Sequence, residues 1–423
     1  MSARGEEFRV SPGNHVERIR ALVAARRPGH GLPGPFQWDE AVHQEDMNRI
    51  WRRGWLFAGL SCEVRQPGDW LRFDVDTESV VLIRGDDGVV RGFHNVCRHR
   101  GTQVCLEDAG HATSLVCPYH QWTYARDGSL LTCRGMHDVD KTALGLSPVH
   151  VRDAEGLLFV SLADNPPDFT AAFELMAPMA RVQKLADAKV AKHIDYEIDA
   201  NWKVVWENNR ECFHCNVNHP EYIKANYDHY DGAEASGAIG AAVAEAIQRS
   251  REKWGDSPLA ATHPESGLTH FPDPERGIWF SANRTILVPG FVTESLDGRQ
   301  VAPLMGAFDD PDVGVARMRT LPNFWCHASC DHAFTTRLAP AGPRRTRARA
   351  SWFVHRDAEE GKDYELETLL PFWQCTSEQD WELCRRVQRG VESSGYIPGP
   401  FSTEKEFNVD AFVRWYLGEL TRA

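Results

Sequence analysis

Two short segments constrain this chain more than anything else in it: Cys97-Arg98-His99 and, after a gap of 17 residues, Cys117-Pro118-Tyr119-His120. Each offers one thiolate and one imidazole from a tight loop. Zinc accepts two Cys and two His, but its sites usually pair like with like, as C-x-x-C and H-x-x-x-H. Mixed pairs, with a single residue inside the first, suit a [2Fe–2S] cluster in which two imidazoles replace two thiolates on one iron. The spacing therefore predicts a Rieske cluster on Cys97, His99, Cys117 and His120. Such a cluster moves single electrons, and an electron needs an acceptor.

The texture around these loops is that of short strands. Trp70–Val75 and Ser79–Arg84 alternate, Asp86-Asp87-Gly88 marks a turn, and a third strand runs to Val96. Arg126-Asp127-Gly128 signals another hairpin, and Gly156–Leu162 reads as a buried strand. Residues 45–165, entered by a helical pattern over Glu45–Phe57, are predicted to form an all-β unit. Asp164-Asn165-Pro166-Pro167 is a linker signal. Beyond it, helical patterns over Phe169–Leu185, Ala241–Lys253, Tyr364–Trp373 and Glu378–Val391 mix with strand-like stretches over Ile278–Met305 and Arg317–Phe353. With 423 residues, more than one domain is expected. The fold class predicted is α+β, divided into a polar arm over 1–44, the β unit over 45–165 and a second unit over 166–423.

Bulk properties exclude several function classes. The net charge of −13 argues against a general nucleic-acid binder. No apolar run is long enough for a membrane span. Residues His15–Arg27 are basic and potentially amphipathic, but Glu6, Glu7 and Glu17 argue against a transit peptide. Eleven scattered cysteines without a secretory signal read as free thiols and metal ligands in a reducing compartment, the cytoplasm. Cys62, Cys105 and Cys133 are read as ordinary buried thiols.

A second constellation lies at Asn201–Pro220, with Glu211, His214 and His219. Two His and one carboxylate, leaving open positions, make the facial triad of an O2-activating Fe(II). On an ideal helix a five-residue offset is about 140° of rotation, so these His would not share a face. Pro220 disfavours helix at His219, which can then fold back toward the metal. Glu211 would share a helical face with His214. For the third ligand, Asp380 competes with Glu378 and Glu382. Ser377 and Asp380 also match a helix capping box, and on spacing alone capping is the better reading.

These segments resemble the terminal (α) subunits of Rieske non-haem iron oxygenases from about Phe36 to Tyr416, and within them the glycine betaine monooxygenase and stachydrine demethylase group. The resemblance rests on Phe93–Gly101, Cys117–Tyr124, Asn201–Pro220, Gln379-Asp380-Trp381 and the stretch from Gly399-Pro400 to Trp415-Tyr416. It implies an antiparallel-sheet-and-helix (helix-grip) catalytic domain after the Rieske domain. It implies that His214, His219 and Asp380 hold the mononuclear iron, and that Glu211 links it to the cluster of a neighbouring subunit in a homotrimer. It also implies hydroxylation of an N-methyl group on a quaternary ammonium compound, using O2 and electrons from a separate NAD(P)H-dependent flavin/iron–sulfur reductase. Phe213 stands where the family often has Tyr. Trp206, Phe280, Phe291, Phe324 and Trp325 are candidates for an ammonium-binding wall, against core packing for each. The rival readings are an aromatic-ring hydroxylating dioxygenase, whose product would be a cis-diol, and a Rieske electron carrier without catalysis.

Overall fold

The structure, a computed structural model, describes residues 15–136, 138–228, 237–255, 257, 259, 264–265 and 279–422. Glu6 and Glu7 of the predicted arm lie outside the described residues. The N-terminal strands are β1 (Leu56–Leu60), β2 (Asp69–Val75), β3 (Glu78–Arg84), β4 (Val90–His94), β5 (Ala109–His111), β6 (Leu115–Val116), β7 (Thr123–Tyr124), β8 (Leu130–Thr132), β9 (Pro148–Ala154) and β10 (Leu157–Ser161). They form a 7-stranded sheet, in the order β1-β10-β9-β4-β3-β2-β5, and a 3-stranded sheet β6-β7-β8. The predicted turns at Asp87-Gly88 and Asp127-Gly128 join β3 to β4 and β7 to β8, with both glycines at positive φ.

The second sheet runs β11 (Lys189–Ile198), β17 (Thr346–Val354), β16 (His332–Pro340), β15 (Phe324–Ala328), β14 (Val315–Thr320), β13 (Phe280–Thr285) and β12 (Pro264–Glu265). Its pairs are antiparallel except β12, which lies parallel to β13. Successive side chains face opposite ways. On one face Phe280, Ala282, Ala316, Met318, Phe324 and Cys326 join a core with Met176 and Met179. The opposite face carries Arg317, Arg319, Trp325 and His327, and it fronts the catalytic site.

The helices are α1 (His15–Ala25), α2 (Glu40–Asp46), α3 (Thr170–Val182), α4 (Trp202–Asn209), α5 (Cys215–Asn218), α6 (Tyr222–Ala225), α7 (Gly237–Trp254), α8 (Leu366–Leu369), α9 (Pro371–Val391) and α10 (Phe407–Thr421). The helical pattern over Glu45–Phe57 is displaced. Asp39 caps α2 by accepting from the amides of Ala41 (2.9 Å) and Val42 (3.3 Å), so the helix starts earlier. Leu56 and Phe57 belong to β1. The predicted break between Tyr364–Trp373 and Glu378–Val391 does not exist. Pro371 stands at the start of one continuous helix, where its missing N–H is harmless. No described helix is long and apolar enough to cross a membrane.

Asp46, at the end of α2, ties that helix to two later ones. Its carboxylate receives Lys203 Nζ at 2.5 Å, Trp202 Nε1 at 3.1 Å and Tyr416 Oη at 2.8 Å, joining α2, α4 and α10. Asp46 and Lys203 are fully buried. Breaking one partner of such a pair leaves an uncompensated charge. Asp46→Asn, which keeps the shape, is expected to cost about 3 kcal/mol in urea unfolding. Adding Lys203→Met to it should recover most of that loss; no recovery would mean that the charge pair is not the cause.

Not every cysteine outside the cluster motif is a free thiol. Cys212 and Cys215 form a disulfide within one turn, with Cα atoms 4.9 Å apart. The bond is local and staples no framework. Cys105 and Cys133 are buried as expected, whereas Cys62 is partly exposed.

Candidate metal centres

The two Cys–His segments form loops of the same design. Cys97 N donates to Thr102 O at 2.8 Å, and Gly101 N donates to Cys97 O at 3.0 Å. In the second loop Cys117 N donates to Trp122 O at 2.8 Å, and Gln121 N donates to Cys117 O at 3.0 Å. Each turn needs a positive φ at its fifth residue, which Gly101 supplies freely and Gln121 adopts at 60°. The first loop follows β4 and is braced by Asn95, whose Oδ1 accepts from the amides of Val104 (2.9 Å) and Cys105 (2.8 Å). The second loop links β6 to β7.

Together the loops set two buried thiols behind two half-buried imidazoles. The His99 and His120 rings lie 4.6 Å apart, and His99 stacks on Trp122 at 5.0 Å. Tyr124 Oη sits 3.2 Å from Cys97 Sγ. His99 Nδ1 is buried with no protein partner, a nitrogen lone pair left for a metal. This donor set fits a [2Fe–2S] cluster held by two thiolates and two imidazoles.

The second site begins where α4 ends. Glu211 and His214 are not on one helix, as the spacing suggested, but in the turn between α4 and α5. Glu211 Oε2 accepts from the amides of Phe213 and of His214 (3.2 Å), while Oε1 lies 2.5 Å from His214 Nδ1. The chain then leaves α5 at His219, before Pro220, and the second imidazole folds back. His214 Nε2 and His219 Nε2 come within 3.0 Å of each other. Asp380 Oδ1, delivered from α9, lies 2.9 Å from His219 Nε2 and 3.3 Å from His214 Nε2. Three donor atoms thus converge on one point, the arrangement of a two-His-one-carboxylate site.

The capping reading of Asp380 is overturned. Ser377 and Asp380 both lie inside α9, which starts at Pro371. Glu378 and Glu382 are exposed and bonded along the helix, to Gln374 and Arg386. Cys215 is also within 4.8 Å of both imidazoles. Its sulfur, bonded to Cys212, offers no thiolate.

Gln379 escaped the sequence reading. Its Oε1 lies 2.7 Å from His219 Nδ1, so Glu211 and Gln379 each hold one imidazole by Nδ1 and turn Nε2 inward. Its only signal was adjacency to Asp380. Burial pulls the His214 pKa down, but Asp380 and Glu211 overcome it and raise it to about 10. Burial works against the Asp380 carboxylate, yet the two imidazoles lower it to about 2. The carboxylates thus favour positive charge at the point where the imidazoles meet.

One cavity is lined by these three groups and by Tyr222, Arg319, Trp325, Trp373 and Trp381. Of the predicted aromatic candidates only Trp325 lines it. Trp206, Phe280 and Phe324 are core side chains, and Phe291 packs partly buried against a core.

Residues 54–143 match the Rieske [2Fe-2S] domain family, and residues 185–421 match the family described as ring hydroxylating alpha subunit (catalytic domain). The chain is 40% identical to the glycine betaine monooxygenase oxygenase subunit of Chromohalobacter salexigens, over 93% of this chain and 87% of that protein. It is 38% identical to the Pseudomonas aeruginosa glycine betaine monooxygenase oxygenase subunit, over 96% and 94%. The fold is shared with the quaternary ammonium Rieske monooxygenase CntA in complex with L-carnitine (TM-score 0.68, 20% identity, 97% of this chain and 99% of that chain). It is also shared with naphthalene 1,2-dioxygenase from Rhodococcus (TM-score 0.62, 19% identity, 97% and 98%). A catalytic domain behind the cluster rules out a bare electron carrier, and the chain belongs to the Rieske oxygenase alpha subunits, with a Rieske [2Fe–2S] cluster and a mononuclear iron as its cofactors.

Proposed function

We propose that this chain is a terminal oxygenase that hydroxylates an N-methyl carbon of a small quaternary ammonium compound of the glycine betaine or proline betaine type. The observation that carries the reading is the aromatic wall of Trp325, Trp373, Trp381 and Tyr222 in the cavity that His214, His219 and Asp380 share. A trimethylammonium has no N–H to donate and is best held by aromatic faces. The relatives named above add to this reading.

Cys97, His99, Cys117 and His120 hold the cluster, and His214, His219 and Asp380 hold the iron. When bound, these groups supply single electrons and O2 activation. Glu211 and Gln379 orient the iron-site imidazoles through Nδ1. The aromatic wall fixes the ammonium so that a methyl group faces the three ligands. O2, a pair of electrons and a pair of protons convert the methyl to hydroxymethyl and release water. The hydroxymethyl ammonium then breaks its C–N bond, giving formaldehyde, a proton and the demethylated amine.

Electrons come from a separate NAD(P)H-dependent reductase. The domain division at about residues 45 and 165 and a cytoplasmic location belong to the same reading. So does a homotrimer: exposed apolar side chains flank both centres, Val96, Val116 and Tyr119 at the cluster and Phe213 and Val217 beside His214. These patches suit docking of one subunit's cluster on the next subunit's iron site.

The test is single-turnover formaldehyde release from pre-reduced, iron-loaded protein given O2 and glycine betaine, a proline betaine, carnitine or choline. Formaldehyde in step with one amine is expected. A cis-diol from an aromatic substrate, with no formaldehyde from any amine, would move the assignment to ring dihydroxylation.

A further inference from the structure

The cavity is lined by one guanidinium, that of Arg319, with hydrogen-bond donors that no protein group accepts. We propose that Arg319 binds a carboxylate on the substrate, so that the enzyme selects zwitterionic betaines over quaternary amines that lack an anionic group. The proposal rests on the N-methyl hydroxylation proposed above and names the second half of its substrate.

Arg317 and Arg319 are two apart on β14 and point to the same face of the sheet, toward the site. Their circumstances differ. Arg317 Nη1 reaches both oxygens of Asp228, at 2.6 and 2.7 Å, and its Nη2 reaches Asn226 Oδ1 at 2.8 Å. Asp228 also accepts from Tyr222. Glu294 Oε1 is taken by Asn226 Nδ2 at 3.1 Å and His327 Nδ1 at 3.2 Å. Asp228 and Glu294 favour the Arg319 charge through space, but neither hydrogen-bonds it.

Arg319 is 2% exposed, lines the cavity of the iron site, and has no protein partner at Nε or Nη1. Burial lowers its pKa to about 10, which still leaves it charged at neutral pH. A buried guanidinium whose N–H groups lack acceptors is costly. A site that keeps one is arranged for an anion that arrives with the ligand. The planar fork suits a carboxylate, which it can grip by two parallel bonds.

The register places Trp325 directly across from Arg319 on β15. Trp325 and Trp381 are 6.4 Å apart, and Tyr222 and Trp373 are 5.8 Å apart. Aromatic faces and a guanidinium therefore border one cavity. A betaine carries its cation and its carboxylate a few bonds apart, and it can satisfy both while a methyl faces His214, His219 and Asp380. Choline carries the same trimethylammonium with a hydroxyl in place of the carboxylate, so it isolates the contribution of Arg319.

The test is anaerobic calorimetric titration of the holoenzyme with glycine betaine and with choline, which reads binding without turnover. Wild type is expected to bind glycine betaine about 100-fold more tightly than choline. Arg319→Met should remove that preference by weakening glycine betaine alone. Arg319→Lys should restore part of it, since it returns the charge without the fork. Retained choline binding shows that the variant is folded. Equal wild-type affinities would overturn the proposal with no variant needed, and so would an Arg319→Met enzyme that keeps the wild-type preference. If wild type discriminates through Arg319 yet forms no formaldehyde, the carboxylate site stands and the proposed reaction fails.

Discussion

Asp380→Ala is expected to abolish turnover and empty the mononuclear site while leaving the Rieske spectrum intact. Its Oδ1 is the only carboxylate oxygen within 3.3 Å of both His214 Nε2 and His219 Nε2 among the described residues. Losing it leaves two imidazoles, one of which has also lost part of what held it in place. The fall should exceed the roughly 10- to 100-fold that removal of an outer-shell partner costs. Metal analysis of the purified variant should show the cluster iron without the additional ion. The paired control is Ser377→Ala. If Ser377 and Asp380 were a capping box, removing the serine would destabilise α9 by about 1 kcal/mol. Since α9 begins at Pro371, Ser377→Ala should leave iron content and unfolding midpoint near wild type. An Asp380→Ala protein that keeps its third iron would remove the ligand assignment.

The paired controls follow the line between what local sequence carries and what it does not. The cluster loops were legible because all four donors lie within 24 residues, and because mixed Cys–His pairs suit little else. The fold-back at His219 was legible from Pro220, a local steric fact. Asp380 was legible only through the family resemblance, because a ligand brought in from 161 residues away leaves no spacing to read, and Ser377 mimics a cap. The same distance hid Gln379. Glu211 was assigned the right neighbour for the wrong geometry: the contact with His214 forms in a turn, where its carboxylate also caps two amides. Arg319 was hidden differently. The alternation Ala316-Arg317-Met318-Arg319 announces a strand with one polar face. Which of the two arginines is already neutralised depends on Asp228 and Asn226, which meet the strand only in the folded chain.

Glu211→Gln should give the second large loss, with a different signature. The amide can still accept a hydrogen bond, so His214 is expected to keep its orientation and the protein most of its iron. What disappears is the charge 2.5 Å from His214 Nδ1, on a side chain that also accepts from the amide of exposed Phe213. If that loop receives the neighbouring subunit's cluster, steady-state turnover should fall at least about 100-fold, at the upper end of outer-shell effects. The decisive measurement is stopped-flow reoxidation of the cluster by O2 in the presence of substrate, normalised to bound iron. A large fall in that rate, with iron content and substrate affinity held, places Glu211 on the route between the centres. A normal rate per iron, with weakened iron affinity, would reduce its role to holding His214. The Asp variant separates these outcomes further. Glu211→Asp keeps the charge but shortens the reach by one methylene, so a bridge that spans two subunits should be broken by it. A residue needed only for its negative potential should tolerate the change.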